Sequence, residues 1–233
     1  MSAARAAVRT VGELLLTTGL VLLLYVAYTL VWTNVQADTE ARRVVDDLQS
    51  RWAAPAPVST TPGQPRRPAA APPVVEPPPS GEAFALLYIP RLGDDWVTPV
   101  LQGVGSRVLS TGIGHYPKTA MPGQVGNFAV AGHRATHGEP FANLDRMRPG
   151  DAVGVQTRTG WYVYRVERTE IVPPTRVSVI LPVPNRPGAT PTQRRMTLTT
   201  CHPRWGSTER LIVYTRLESS TPSAAGRPPA LAT

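Results

Sequence analysis

The chain has 233 residues, of which 42% are hydrophobic, so it can bury a core of ordinary size and is not disordered throughout. The formal net charge is +8, but every basic residue except Lys118 is an arginine. This bias is more typical of GC-rich coding than of a nucleic-acid surface, and we expect no nucleic-acid partner. The single cysteine, Cys201, excludes an intramolecular disulfide framework and a multi-cysteine zinc site. It is either a buried filler or a nucleophile.

The first apolar segment predicts a membrane anchor. Residues 14–37 carry no charge and, at about 1.5 Å per residue, are long enough to cross a bilayer as a helix. Arg5 and Arg9 precede this run, which predicts that residues 1–13 are cytoplasmic and that the rest of this single-pass protein of the cell membrane is extracellular. Val35-Gln36-Ala37 could instead be a signal-cleavage site, but signal h-regions have only about 7–15 residues, which favours a retained anchor.

Residues 38–81 connect this anchor to the folded domain. The first part, to residue 52, mixes charges with Val44, Val45 and Leu48 and predicts a short juxtamembrane helix. Residues 55–79 include ten prolines and few large apolar side chains, a composition typical of an extended, disordered spacer. Residues 219–233 have a similar composition and predict a disordered tail.

Residues 82–218 are expected to form one domain built from strands. Short apolar or alternating runs separated by Pro/Gly-rich connections favour a β-barrel or sandwich, and no helical pattern is long enough for an α/β nucleotide-binding fold. One helical turn is expected at Pro140–Met147. The seven predicted strands are Phe84–Ile89, Trp96–Val104, Asn127–Gly132, Ala152–Thr157, Trp161–Ile171, Met196–Thr200 and Leu211–Leu217.

The position of Cys201 favours catalysis. It ends a predicted strand, and Pro203 and Gly206 then force a loop, so its side chain has a rigid base but is accessible. A thiol with an ordinary pKa of about 8.5 is only slightly ionised at neutral pH. A catalytic cysteine therefore needs a nearby histidine or cation, and a donor for the oxyanion that forms on the attacked carbonyl.

Four histidines are candidates for the base. His202 adjoins the cysteine and should point to the opposite face of the strand, and His137 falls in a polar loop. His115 lies in a glycine-rich stretch that we expect to be flexible. His133 directly follows an apolar strand and is the preferred candidate, with His115 second.

Arg210 is the candidate oxyanion donor. It opens the strand after Cys201, and a hairpin return would bring it beside the cysteine. A planar guanidinium is always charged and can donate two hydrogen bonds. The alternative is a surface salt bridge to Glu209 or another acid.

These residues carry a resemblance to a known family. The sequence Thr197-Leu198-Thr199-Thr200-Cys201, followed by Arg210, resembles the cysteine motif of sortases, and Ala131-Gly132-His133-Arg134 resembles their histidine motif. Residues 114–138 resemble class E sortases of actinobacteria. The resemblance implies a mainly all-β fold, a closed eight-stranded sortase-type β-barrel with short helical turns, preceded by one transmembrane helix and a proline-rich stalk.

The resemblance also implies a cysteine transpeptidase. Cys201 would attack the Thr–Gly carbonyl of a C-terminal LAxTG- or LPxTG-type sorting motif on a secreted protein, and His133 would protonate the leaving amine. Arg210 would stabilise the oxyanion, and a peptidoglycan-precursor amine would release the product onto the cell wall. This mechanism needs no cofactor or metal, and the sequence offers no cluster for one. The acidic residues that bind calcium in some class A sortases have no clear match, so we expect no calcium site.

Three further residues are expected to bind substrate. Tyr116 would occupy the space left by the missing proline ring of an LAxTG motif, or would simply pack on Pro117. Thr199 and Thr200 belong to the cysteine motif, and the loop 173–195 would wall the groove. Two alternatives are an L,D-transpeptidase, whose motif has a glycine where Thr200 stands, and a tethered binding barrel without activity.

Overall fold

The computed structural model describes residues 3–53 and 75–232, and its main body is a closed, mixed β-barrel. The strands follow one another around the barrel in the order β1-β2-β3-β4-β7-β8-β6-β5, and β5 closes on β1. The predicted closed eight-stranded, mainly β fold is therefore confirmed. The strands are β1 Ala83–Tyr88, β2 Val97–Gln102, β3 Ile113–His115, β4 Gly126–Ala131, β5 Ala152–Thr157, β6 Gly160–Val172, β7 Arg194–His202 and β8 Glu209–Pro222.

The helices lie mainly before the barrel. Helix α1 leads through a five-residue π-helical segment into α2, and α3 is a single turn after β2. The helical turn expected at Pro140–Met147 is present as a 3-10 helix. The helical elements are α1 Ala3–Ala27, the π segment Tyr28–Trp32, α2 Thr33–Ala53, α3 Ser106–Leu109 and 3-10 turns at Pro90–Leu92, Leu144–Arg146, Val177–Ile180, Ser223–Ala225 and Pro229–Leu231.

All seven predicted strands are present, but β3 was missed. It has only three residues and pairs parallel with β2 and antiparallel with β4. Its last residue, His115, is fully buried, with Nδ1 2.7 Å from Gln102 Oε1 and Nε2 2.8 Å from Thr119 Oγ1. Burial lowers the pKa of His115 to about 4. The stretch is thus an ordered strand, and His115 is a neutral structural residue.

The alternation of side chains along β4, β7 and β8 decides which residues face the barrel core and which face outward. Phe128 and Val130 of β4, Leu198 of β7 and Val213 of β8 point into the barrel core. The intervening residues of these strands therefore project from the outer face. Cys201 of β7 and Arg210 of β8 are therefore on the outer face of the barrel.

Helix α1 is long and apolar enough to cross a membrane, by length and composition, and none of its residues is buried. Helix α2 instead packs on the barrel, where Val45 and Leu48 join a cluster with Leu86 and Trp161. The separation between α1 and the barrel is set by α2, while most of the proline-rich segment lies outside the described residues. Asn34 and Ala37, included in the predicted anchor, contact the barrel instead.

The prediction of a disordered tail from residue 219 is wrong. Strand β8 continues to Pro222, pairing with β6 up to the start of that strand. The last residues then fold back, and Leu231 is fully buried against β5. A Cβ on Gly154 would lie only 2.3 Å from Leu231 Cδ1, so the leucine fills the space that this glycine leaves. The composition of the tail, rich in proline and alanine, does not indicate that its one leucine is buried.

Leu231→Ala is expected to destabilise the barrel. Removing a buried leucine side chain costs about 2–5 kcal/mol, which corresponds to a melting temperature lower by roughly 4–20 °C for a chain of this size. The control is Val177→Ala, because Val177 is 71% exposed. Thermal melting of the full chain measures both, and equal melting temperatures for the two variants would contradict the packing of the tail.

Candidate active site

Strand pairing brings together the strand ends that carry His133, Cys201 and Arg210. Strands β4 and β7 run parallel, and their last pair is Ala131 with Thr199, so His133 and Cys201 each follow this pair by two residues. The Gly132 amide donates to the Thr199 carbonyl at 3.2 Å, so the pairing extends past the end of β4. On the other side of β7, Cys201 and Arg210 are direct partners in the antiparallel ladder with β8. Direct partners project to the same face, so Cys201 and Arg210 are neighbours, and His133 follows the end of the adjacent strand β4.

Cys201 is partly exposed at the end of β7. Its position is fixed by Arg134, which is only 4% exposed and reaches from the end of β4 to the end of β7. Arg134 Nη1 lies 2.7 Å from His202 Nδ1 and 3.4 Å from the Cys201 carbonyl oxygen, and Nη2 lies 3.2 Å from Asp145 Oδ1. The expectation that His202 turns away from the cysteine agrees with this contact to Arg134.

His133 is half-buried and faces a second histidine. The rings of His133 and His137 stack with centroids 5.0 Å apart and an interplanar angle of 26°. Burial lowers the pKa of His133, and the electrostatic contact with His137 lowers it further. A neutral imidazole at neutral pH can accept a proton from the thiol or from an amine.

The loop that carries His137 has an unusual backbone. His137, Gly138 and Glu139 all have left-handed conformations, with φ of 54°, 77° and 46°. Such a conformation costs roughly 1–3 kcal/mol at each non-glycine residue unless its surroundings hold it. The close packing of His137 on His133 depends on this turn.

Arg210 carries an unpaired charge. Its Nη1 donates to the backbone carbonyls of Ser207 at 2.9 Å and Glu209 at 2.8 Å. Among the ion pairs of residues 3–53 and 75–232, none includes Arg210. Arg210 therefore forms no salt bridge with the Glu209 carboxylate, and backbone carbonyls orient its guanidinium.

Two of the three predicted substrate-binding residues lie on the groove side. The Tyr116 hydroxyl is 3.1 Å from Thr199 Oγ1, and Thr199 precedes Cys201 by two residues on the same face of β7. Thr200 is 3% exposed, and its hydroxyl donates to the Gly132 carbonyl at 2.8 Å; Thr199 is 5% exposed, and its hydroxyl donates to the Val130 carbonyl at 3.1 Å. Because side chains alternate along a strand, Thr200 turns away from the groove and holds β4 against β7.

The loop between β6 and β7 lies along the outer face of β8. Val179, in its 3-10 turn, packs with Ile212 and Tyr214 of that strand. The Asn127 amide donates to the carbonyls of Val179 and Leu181, at 3.3 and 3.1 Å, and ties the loop to β4. The loop is therefore a fixed wall beside β7.

Sequence reasoning overlooked two residues of the site. Arg134 appeared only as part of a motif, and His137 was assigned to a polar loop. The spacing of two histidines before Gly138 in His133-Arg134-Ala135-Thr136-His137 was the available signal. Within the part of the chain that the structure describes, no cluster of three or more His, Cys, Asp or Glu could hold a metal ion.

A closed barrel with a cysteine, a histidine and an arginine at the ends of three adjacent strands is the arrangement of a cysteine acyl-transfer enzyme. Comparisons with known proteins agree. The sortase domain family model matches residues 87–218. Sortase SrtE1 of Streptomyces coelicolor is 40% identical over 98% of this chain, which spans only 62% of SrtE1. SrtE2 of the same organism is 31% identical over 91% of this chain and 82% of its own length.

Solved structures give the same family. Sortase E from Streptomyces avermitilis is 48% identical, with a TM-score of 0.60 over 65% of this chain and 98% of its own. SrtA of Actinomyces oris is 41% identical, with a TM-score of 0.65 over 69% of this chain and 93% of its own. The chain belongs to the sortase family of cysteine transpeptidases, and its resemblance to class E members is confirmed. This decides against an L,D-transpeptidase.

His137→Gln is expected to raise the pKa of His133. The substitution removes the histidine whose charge opposes protonation of its neighbour, while burial, the larger cause, remains. The inflection of His133 in the pH profile of Cys201 alkylation should move to higher pH. Arg158→Gln, which removes a cation from the β5–β6 turn, is the control. An unchanged profile in His137→Gln would contradict coupling between the two rings.

Proposed function

We propose that the chain cleaves a C-terminal sorting motif of LAxTG or LPxTG type between Thr and Gly and joins the secreted protein to a peptidoglycan-precursor amine. The observation that carries this proposal is the pairing of Cys201 with Arg210 across β7 and β8, next to the end of β4 that His133 follows by two residues. It provides a base, a nucleophile and an uncommitted cation at one end of a groove. The A. oris and Streptomyces relatives, which are themselves named sortases, add support.

The chemistry follows from the three side chains. His133 takes the thiol proton as the Cys201 sulfur attacks the Thr carbonyl carbon, and the negative charge that develops on the oxygen faces the Arg210 guanidinium. The C–N bond to Gly breaks as His133 delivers that proton to the leaving amine, and a thioester remains on Cys201. The incoming amine then loses a proton to His133 and attacks the thioester, and His133 returns this proton to the sulfur as the C–S bond breaks, which regenerates the thiol.

The substrate groove is proposed to lie between the loop 173–193 and Tyr116. The hydroxyl of Tyr116 contacts Thr199 and lies beside the cysteine strand, where a sorting motif with alanine in place of proline leaves room. A solved sortase E1 of S. coelicolor, 40% identical to this chain, holds a tripeptide in its active site. Thr199 is the second proposed contact because it shares a face of β7 with Cys201, and Thr200 is not retained because it lies on the opposite face.

We further propose that α1 anchors the enzyme in the cell membrane. Its apolar length fits one span, and Arg5 and Arg9 place the short amino end in the cytoplasm and the barrel outside. This location brings the barrel to secreted proteins and to wall precursors, which are the partners that the transfer requires.

Cys201→Ala is expected to abolish both cleavage and transfer without unfolding the chain. Fluorogenic LAxTG and LPxTG peptides, with and without an added amine, measure hydrolysis and transpeptidation, and the preferred motif is read from kcat/KM. Melting temperature controls for folding. Turnover of either peptide by Cys201→Ala would overturn the mechanism, and failure of the unaltered chain to cleave both would overturn the motif.

Arg210→Ala is expected to lower kcat far more than it raises KM. A donor to a charge that exists only in the transition state is worth about 10²–10³-fold in kcat. Arg210→Lys keeps the charge but loses the planar fork and should recover only part of the activity. Since Arg210 has no carboxylate partner, both variants should melt close to the unaltered chain. Full activity in Arg210→Ala would remove it from the site.

A further inference from the structure

The loop after His133 receives its support from α2. Asn34 Nδ2 donates to Glu139 Oε1 at 2.7 Å, and Asn34 Oδ1 accepts from the Gly138 backbone amide at 3.1 Å. Both polar groups of the Asn34 side chain thus form hydrogen bonds with residues that have left-handed backbone conformations. An amide side chain that satisfies a backbone donor and a side-chain acceptor at once fixes the loop in one conformation.

The contact is close as well as polar. A Cβ on Gly138 would lie 2.9 Å from Asp38 Oδ1 and 3.4 Å from the Ala37 Cβ. With φ at +77°, Gly138 also holds a backbone conformation that other residues rarely adopt. The loop therefore meets α2 where only glycine fits, one turn along the helix from Asn34.

Glu139 extends this contact to the loop that follows Cys201. Its second oxygen, Oε2, accepts from Arg204 Nη2 at 2.5 Å, and the Glu139 side chain is only 15% exposed. Arg204 follows Cys201 by three residues, in the turn between β7 and β8. One carboxylate thus joins α2, the histidine loop and the cysteine loop.

We propose that Asn34 is a positioning residue and that α2 is a functional part of this active site. Through Glu139 and Gly138, Asn34 holds His137 against His133 and keeps the loops on both sides of Cys201 in register. The matching sortase domain begins at residue 87, so this element lies outside the family's barrel. The inference rests on the proposed transpeptidation only for its kinetic readout, because the placement of His133 can also be measured without substrate.

The contact has a different character from the rest of the α2 interface. Val45 and Leu48 pack on the far side of the barrel core and contribute apolar burial. Near Asn34, a cavity of about 520 Å³ lies between α2 and the barrel, lined by Asp38, Trp96 and His137 among others. At the edge of this cavity, α2 contacts the loop through the hydrogen bonds of Asn34 and the close approach of Gly138 to Ala37 and Asp38.

The test compares Asn34→Ala with Gln36→Ala in the full chain. Gln36 is an exposed amide on the same helix and has no hydrogen bond to the barrel, so its variant controls for changes in α2. We expect Asn34→Ala to lower kcat roughly 10- to 100-fold, since misplacement of about 1 Å can cost this much, with KM for the peptide within about twofold. Asn34→Asp, which sets a carboxylate against Glu139, should lose more.

A second readout needs no sorting peptide. The rate of Cys201 alkylation by iodoacetamide is followed against pH, and Asn34→Ala should shift the histidine inflection while Gln36→Ala leaves it unchanged. In a Glu139→Ala background, Asn34→Ala should have a smaller effect than it has alone, because only the bond of Asn34 to the Gly138 amide remains to be lost.

The outcomes separate the two proposals. If Asn34→Ala matches Gln36→Ala in kcat and in the alkylation profile, the inference is overturned, even where its melting temperature falls. If the alkylation profile shifts but neither the unaltered chain nor any variant cleaves LAxTG or LPxTG peptides, the inference stands and the proposed function fails.

Discussion

The active site depends on the pairing of β4 with β7. Parallel strands end at the same edge of a sheet, so the residues that follow both ladders emerge together. Here those residues are His133 and Cys201, and β8 begins at the same level with Arg210. A slip of one residue in either ladder would turn the cysteine toward the core. The buried hydroxyl of Thr200 on the Gly132 carbonyl resists that slip, which gives this threonine a structural role next to the nucleophile.

The strands could be predicted because their signals are local. Alternation indicates the strands, and the step from an apolar run to a loop indicates the strand ends where His133 and Cys201 lie. Strand β3 could not be predicted because three residues, one of them a glycine, are too few to show an alternating pattern. The tail escaped for a related reason: its order depends on one leucine that fits over Gly154, and composition averages cannot indicate a single fitted contact. The loops that follow His133 and Cys201 are likewise held by single contacts, such as those of Glu139, that composition does not indicate.

Arg134 illustrates a limit of reasoning from residue type. A charged residue after a strand is expected to face solvent, yet it is 4% exposed while its partner Asp145 is 55% exposed. Burial of the guanidinium is costly, and its Nε finds no partner. Nη1 and Nη2 nevertheless bind groups on the Cys201 and Asp145 sides, so the cost is offset by fixing the two strand ends. The gain from burying this charge is positional rather than a net contribution to stability.

The direction of α2 relates the site to the proposed anchor. Helices α1 and α2 are joined by the π segment without an intervening loop, and the contact with the histidine loop is made at the amino end of α2, next to α1. With α1 in the bilayer, that end of the barrel lies toward the membrane surface. A sorting signal still held in the membrane and a wall precursor assembled there would both approach from this side. If α1 is embedded in the bilayer as proposed, a helix that packs on the barrel and contacts the histidine loop would orient the active site relative to the membrane, which a flexible tether alone would not do.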